Sequence, residues 1–397
     1  MYDVIVVGAR VSGSPTAMLF AQAGYRVLLL ERAHFPADTL SSHYIHQPGV
    51  ALLDQWGLLG EVRASGCPPL DHASYEASGQ VRVDGCSLPD NGHRAAYAPR
   101  RFVLDPILAG GAVRAGVELR EGAKVMELIF EDDRVVGVRC TSSDGGPFSE
   151  RAHLVVGADG MRSTVARLVK APMVIEDPRM TCTYYSYWEN LPSHFELYER
   201  PGRWVAIIPT NQSRTLVMTY FPQEEFGRVR FNVKEEYLEA VRTTAPGVYE
   251  RLAAATHAEQ MYGTGDQQNF FRQASGAGWA LVGDSAHHKD SIAARGITDA
   301  FLQAKLLVEL IGPKLRDKAA LDAALRRYAR DAVDQFVDFY RSTLTVAELR
   351  VPADRVSLLQ KISGNQDMVD RYFATLSGAC EIDDFYNAEL LELLAAS

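Results

Sequence analysis

A strand that ends on glycine and turns at once into a helix is the feature that most narrows the fold of this chain. Tyr2-Asp3-Val4-Ile5-Val6-Val7 is a short β-branched run, and Gly8-Ala9-Arg10-Val11-Ser12-Gly13 follows it. A helical run through Ala17-Met18-Leu19-Phe20-Ala21 stops at Gly24, and a second strand from Tyr25 to Leu30 ends at Glu31. The pattern predicts a βαβ unit. A glycine-rich turn lets backbone approach a pyrophosphate and aims the free N–H groups of a helix N-terminus at it. Glu31 then stands where a carboxylate accepts hydrogen bonds from a ribose diol, with Arg32 beside it. Arg10 occupies the place of the usual second glycine, where its guanidinium either crowds a phosphate or contacts one.

Two later stretches repeat the strand-to-turn theme. Leu154-Val155-Val156 runs into Gly157-Ala158-Asp159-Gly160, with a helix expected from about Ser163. Trp279-Ala280-Leu281-Val282 delivers Gly283-Asp284-Ser285-Ala286-His287-His288, and Gly296-Ile297-Thr298-Asp299 opens a long helix. An aspartate in that last loop can hold a sugar or ribityl hydroxyl, and the helix directs its positive end at the loop's occupant. Asp-Gly after a strand is by itself only a turn signal.

Between these motifs the character of the chain changes. Arg100 to Gly116 reads as a helix, and Val135 to Cys140 and Leu154 to Val156 read as strands around Asp144-Gly145-Gly146. After Pro172, short alternating strands rich in Tyr and Trp (Thr181 to Trp188, Phe195 to Glu199, Trp204 to Ile208, Thr215 to Phe221) predict an antiparallel sheet. Alternation puts Tyr185 and Tyr187 on one face, as candidate substrate contacts, and Tyr184 and Trp188 on the other. Gly263-Thr264-Gly265 reads as a loop. Helices are expected near Val233 to Arg242 and over Ala319 to Leu344. The fold class that follows is α/β: a Rossmann-like nucleotide-binding domain, an inserted antiparallel substrate sheet and a helical C-terminus. The nucleotide domain is assigned to residues 1–66, 97–171 and 274–340, the substrate domain to 67–96 and 172–273, and the C-terminal helical segment to 341–397.

Composition removes several classes. A net charge of −9 without a Lys/Arg block argues against nucleic acid or an anionic membrane as partner. The five cysteines form no CxxC pair, so no metal site or disulfide framework is expected, and free thiols suit a reducing cytosol. Neither a signal peptide nor an apolar run of bilayer length is seen, so a soluble cytoplasmic protein is expected.

The order of nucleotide fingerprint, GADG turn and GDSAH loop resembles the para-hydroxybenzoate hydroxylase family, the single-component (group A) flavin monooxygenases. The resemblance covers roughly the first 340 residues. It implies FAD as cofactor, with Gly8, Arg10, Gly13, Glu31 and Arg32 on the ADP part. It places Asp159 and Gly160 near the pyrophosphate, Gly283 and Asp284 on the riboflavin, and Gly296 and Ile297 where the helix opens toward the ring. The stretch Arg101-Phe102-Val103-Leu104-Asp105 matches the family's helix from which an Arg or Gln reaches FAD. Two departures are that Ser291 stands where the family often has proline, and that Ala166 precedes Arg167 where the Asp-Gly motif commonly ends.

No second glycine-rich βαβ unit is present, so the resemblance implies NADPH or NADH as a transient donor along the FAD cleft. In such enzymes reduced flavin and O2 form a flavin hydroperoxide that hydroxylates an electron-rich, small aromatic or polyketide-like substrate. His287 and His288 in the loop, and His46, are the candidate catalytic groups. His46 belongs to Ser41-Ser42-His43-Tyr44-Ile45-His46-Gln47, which enters the flavin region in this family, so His43 and Gln47 are candidates too. The bland alternative makes His287 and His288 a solvated loop histidine and a backbone cap.

Three other readings share the scaffold. A flavin-dependent halogenase would carry two alternating tryptophans before Ile-Pro, whereas Trp204-Val205-Ala206-Ile207-Ile208-Pro209 has alanine at the second place. A flavin-dependent double-bond reductase would need a deep apolar tunnel. A non-catalytic flavin-binding scaffold would turn over no donor. Monomer and homodimer are both compatible with the sequence.

Overall fold

The computed structural model describes residues 1–395. Six strands form a continuous path in the order Ser275–Gly276, Trp279–Leu281, Pro147–Gly157, Tyr2–Val7, Val27–Leu30, Glu118–Arg120. The four pairings from Trp279–Leu281 to Glu118–Arg120 are parallel. Strands buried on both faces read as unbroken apolar runs, and Val4, Ile5, Leu28, Leu29, Leu154 and Val155 are all sealed from solvent. Helices Gly13–Gln22, Arg101–Arg114 and Gly296–Ile311 pack together against this sheet, with Lys318–Ala347 laid on the last of them. Lys124–Glu131 and Arg134–Thr141 form a hairpin that extends the long strand Pro147–Gly157.

The chain leaves this sheet after Gly157 and returns at Ser275. The excursion, together with a hairpin from earlier in the chain, builds a second sheet in the order Thr256–His257, Thr181–Glu189, Arg214–Pro222, Arg203–Pro209, Phe195–Arg200, Ala73–Ala77, Val81–Gly85. Its pairings are antiparallel save one: Ala73–Ala77 runs parallel to Phe195–Arg200. That exception arises because the Ala73–Gly85 hairpin comes from an earlier stretch of chain and is not tied by a turn to its neighbour. Gly263-Thr264-Gly265, expected as a loop, instead contributes to the strand Tyr262–Thr264, which pairs with Thr183–Tyr185. The correction has a simple cause, since Thr181–Glu189 offers a free edge there and a short segment satisfies its backbone groups without a pattern of its own. A third, small sheet joins Met173–Asp177, Asn269–Arg272 and His287–His288.

The two faces of the second sheet have different covers. Trp188, Val205, Ile207 and Val217 pack on Tyr237 and Val241 of the helix Val233–Thr244. Tyr185, Tyr187, Trp204, Ala206, Met218 and Tyr220 face the other way, in one core with Val356, Leu359 and Phe373 of the C-terminal helices Ala353–Ile362 and Gln366–Ser377. A polar cluster fixes that second cover. Glu199, sealed from solvent, accepts from Tyr75 and from Arg355 of the first C-terminal helix (Nη1 to Oε1 2.8 Å), and the Tyr75 ring stacks on Tyr372.

Removing one member of a buried ion pair leaves the other charge without compensation. Arg355→Met is therefore expected to cost about 3 kcal/mol of stability, read as a lowered urea midpoint. Arg355→Met combined with Glu199→Gln should recover part of that loss. A single variant as stable as the parent would show that this cluster does not hold the C-terminal helices in place.

A cofactor cleft joined to an apolar cavity

The parallel register sets the site. Val7 pairs with Gly157 and Gly157 with Leu281, so the turns that follow these three strands emerge side by side at one edge. They approach so closely that side chains are excluded. A Cβ on Gly8, whose φ is +99°, would lie 2.5 Å from the Ala158 carbonyl oxygen. One on Gly13 would lie 1.7 Å from the Gly8 carbonyl oxygen, and one on Gly283 (φ +67°) 2.0 Å from Ser12 Oγ. The first helix starts at Gly13 with no side chain capping it. The Ser14 and Thr16 N–H groups donate to the Arg10 and Ser12 carbonyls and Pro15 has no N–H, so among the described residues of this first turn the Gly13 N–H is the one left for an anion.

A cleft of about 650 Å3 runs past these turns. It extends from Glu31, Arg32, Lys124 and Val125 past Gly8 and Arg10 to Asp284, Gly296 and Ile297. Glu31 is buried at the end of the second strand, accepting from the Ala9 and Ala33 N–H groups (2.9 Å each). Arg32 is exposed on the rim. Arg10 does not block the turn: its Nη1 lies 2.9 Å from Asp105 Oδ2, and Asp105 also takes a two-point pair from Arg101 (Nε to Oδ1 2.8 Å). The Asp105 carboxylate, sealed from solvent, thus draws both guanidinium groups to the base of the helix Arg101–Arg114. Asp159 lines the cleft, but its carboxylate accepts from Ser163 Oγ and from the Thr164 and Val165 N–H groups, so it also anchors the start of the helix Thr164–Leu168. Gly160 beside it has φ +79°. Asp284 is half-buried on the cleft wall and makes no hydrogen bond among the described residues.

His287 is neither solvated nor a backbone cap. It is buried between the rings of Phe271 (centroids 4.7 Å) and Phe336 (5.2 Å). Gln303 ties it down, donating to His287 Nδ1 (2.9 Å) while accepting from the Gly283 N–H (2.9 Å). Burial, reinforced by the nearby Lys289 cation, pushes its pKa down. His288 donates from Nδ1 to the Gln268 carbonyl and lines the cleft. Beside them lies a cluster that sequence reasoning missed. Lys289 and Arg295, both buried, pair with Asp299 in the first turn of the helix Gly296–Ile311. An acid in the first turn of a helix was the one available signal for it; Lys289 and Arg295 come together with it only through the loop's path.

A second cavity, of about 150 Å3, meets the cleft at Ser42, Met218, Ala294 and Arg295, which line both. Its walls are mostly apolar: Phe195, Trp204, Ala206, Ile208 and Tyr220 from the sheet, and Phe373 and Leu376 from the C-terminal helix. Tyr185 lines the cofactor cleft. Tyr187, expected at the substrate, lines neither space. It shares a hydrogen bond with His43 Nε2 (2.5 Å), and the Arg100 guanidinium lies 3.8 Å over its ring. Tyr187 shares the core-facing side with Tyr185, but Arg100 and His43 cover it, while Met218 and Tyr220 on the neighbouring strand reach the cavity. His46 and Gln47 line the cavity, whereas His43 does not.

These residues fit FAD: three glycines that admit no side chain, a helix N-terminus without a side-chain cap, a buried acid at the second strand's end and a continuous cleft beside them. The fold and site together define an FAD-dependent oxidoreductase. The chain belongs to the FAD binding domain family, whose model matches residues 1–339. It is 28% identical over 389 residues to 6-methylpretetramide 4-monooxygenase of Streptomyces rimosus, covering 90% of this chain and 83% of that protein. It is 25% identical to digeranylgeranylglycerophospholipid reductase 1 of Methanopyrus kandleri, covering 92% and 95%. Its fold is similar to that of flavin-dependent brominase Bmp2 (TM-score 0.81, 18% identity, covering 100% of this chain and 98% of that one).

Two predictions follow from this geometry. Gly13→Ala is expected to cut the FAD that co-purifies with the protein at least tenfold, read from the ratio of flavin to protein absorbance; full retention would show that the turn tolerates a side chain. The second concerns acid. Burial holds His46 down to about 3, with Arg295 adding to the effect, so the unfolded chain takes up a proton near pH 6.5 that the folded chain refuses. Stability contributed by the neutral form is present above pH 6.5 and is lost as pH falls toward 3. Relative to His46→Gln, the parent should lose on the order of 1 kcal/mol per pH unit below pH 6, as checked by urea unfolding from pH 7 to 4. Asp290, raised to about 6 by burial, gives the opposite slope from pH 6 down to about 4, and that contribution is common to both proteins.

Proposed function

We propose that this chain is an FAD-dependent monooxygenase that hydroxylates a small aromatic substrate, or one ring of a polyketide-like one, using O2 and NADPH or NADH. The observation that carries the reading is the apolar cavity opening onto the cofactor cleft at Ser42, Met218, Ala294 and Arg295. A space of this volume accommodates a body of about one benzene ring. FAD, when bound, supplies electron transfer and the activation of O2. The chain's own residues hold the reactants and exclude water. Gly8, Gly13 and the uncapped helix at Gly13 receive the pyrophosphate, Glu31 the ribose, and Asp284 a hydroxyl of the ribityl chain. The positive end of the helix Gly296–Ile311, with Lys289 and Arg295 against one acid, favours negative charge at the adjoining cleft wall. His287, packed between two phenyl rings, positions the loop through Gln303, and His46 faces the substrate side.

The kinship with digeranylgeranylglycerophospholipid reductases favours a second reading, reduction of a carbon–carbon double bond in an apolar chain. The short cavity suits a ring better than a long prenyl chain. Oxygen distinguishes the two. A monooxygenase should consume NADPH or NADH and O2 faster when a substrate from a panel of phenols and polyketide-like aromatics is added, and should place one oxygen atom in the product. Conversion without O2 uptake would establish the reductase, and the absence of turnover with either donor would sink both.

A further inference from the structure

Several polar side chains line the apolar cavity, and one segment supplies three of them at alternate positions. Ser42, Tyr44 and His46, alternate residues of one segment, all line it, whereas His43 between them turns to Tyr187 and Ile45 is buried beside Gly49. Most other hydroxyls on its walls are already bound. Ser342 and Thr343 both donate to the Phe339 carbonyl, Ser87 pairs with Ser377, and Tyr220 with Ser291. Tyr44, only 5% exposed, makes no hydrogen bond with its hydroxyl. His46, 7% exposed, uses only Nε2. On a mostly apolar wall, two side chains with a polar atom left unpartnered point to a ligand that completes them; Gln47 Oε1 and Trp204 Nε1 on the same walls are unpartnered too.

The hydrogen-bonding role of His46 is set by its partner. His46 Nε2 lies 3.2 Å from the Ala293 carbonyl oxygen, which can only accept, so the ring proton sits on Nε2 and Nδ1 is a free acceptor. Burial keeps the imidazole neutral and the Tyr44 phenol protonated. The two rings meet edge to face with centroids 4.7 Å apart, so the acceptor and the donor belong to adjoining side chains of one cavity wall. The pair is also fixed relative to the cofactor side. The His46 N–H donates to Thr298 Oγ1 (3.0 Å) in the first turn of the helix Gly296–Ile311, while the ring is held by Ala293 in the preceding loop.

We infer that Tyr44 and His46 form a recognition pair for a neutral hydroxyl on the substrate, which donates to His46 Nδ1 and accepts from the Tyr44 hydroxyl. The inference rests on the reading of this cavity as the substrate site. It makes the substrate a hydroxyl-bearing ring and gives the two residues a positioning role, setting which edge of the ring faces the cleft. A plain hydrocarbon would leave both groups unpaired, and a site built to bond a hydroxyl discriminates strongly against an analogue without one.

Ligand binding to the oxidised, FAD-loaded protein tests this without turnover, through the shift in the flavin visible spectrum. Phenol, anisole and toluene are matched probes: anisole keeps the oxygen but has no proton to donate, and toluene has neither. Phenol should bind at least tenfold more tightly than toluene, with anisole between them. Tyr44→Phe, which removes one oxygen atom, should bring anisole down to toluene, and His46→Leu should bring phenol down to anisole. His46→Gln, which restores an acceptor, should recover part of the preference. Equal affinities for the three probes, tighter binding of a prenyl hydrocarbon than of phenol, or a preference unchanged in both Tyr44→Phe and His46→Leu would overturn the inference. A protein that shows the phenol preference yet consumes no O2 with any phenol would instead overturn the monooxygenase reading and leave the pair standing.

Discussion

The structure depends on three strand ends that lie in register. Val7, Gly157 and Leu281 are neighbours across a parallel sheet, and the chain must turn after each of them in the same narrow space. No side chain fits at Gly8, Gly13 or Gly283, because backbone or Ser12 already occupies the position that a Cβ would take. The Ser285 hydroxyl adds a direct link, donating to the Gly157 carbonyl (2.5 Å) from the third turn to the second strand. Cofactor binding and folding therefore share one set of contacts. The residues that let a pyrophosphate approach are also those that let three distant parts of the chain meet.

That junction explains the order of the chain. A long excursion between Gly157 and Ser275 is tolerated because the sheet it leaves is closed by strand pairing on both sides of the gap. The excursion builds a wall that the first sheet could not provide, with one face covered by its own helix and the other by the C-terminal helices. The cavity forms where that second face, the C-terminal helix Gln366–Ser377 and the loop before Gly296 converge. Arg295 sits at the convergence. Its guanidinium pairs with Asp299 on the cofactor side, lies over Phe339 (3.6 Å) and donates to the Leu376 carbonyl (3.2 Å). One buried cation thus ties the cofactor helix to the residues that close the cavity.

The parts of this arrangement that were legible in the sequence are those that local chemistry dictates. A glycine that needs a positive φ, an acid at a strand end and an aspartate after a strand leave marks at fixed spacing, and the three turns were found for that reason. Alternation also placed Tyr185 and Tyr187 on one face. It could not show that Arg100 and His43 would cover Tyr187, since those contacts join residues 87 and 144 positions away. Lys289, Arg295 and Asp299 lie within ten residues of one another, but their meeting depends on the path of the loop; the cavity was illegible because its lining is drawn from nine separate stretches between Ser42 and Ser377. The loop expectation at Gly263-Thr264-Gly265 failed differently: an unfilled strand edge recruited a segment with no strand pattern of its own.

Arg10 shows how a departure from a motif becomes intelligible through its partners. A guanidinium in a phosphate turn is a hindrance only if nothing draws it aside. Asp105 does so, and it serves Arg101 with the same carboxylate, so one fully buried acid faces two cations. The pairing on the flavin side is alike in kind: Asp299 faces Lys289 and Arg295. Each cluster thus holds two cations on one acid, and further acids line the same cleft nearby, Glu31 at the first end and Asp284 and Asp290 at the second. The arginine in the turn and the lysine in the loop are two instances of one electrostatic solution, in which a buried acid shared with a second cation fixes where the side chain lies.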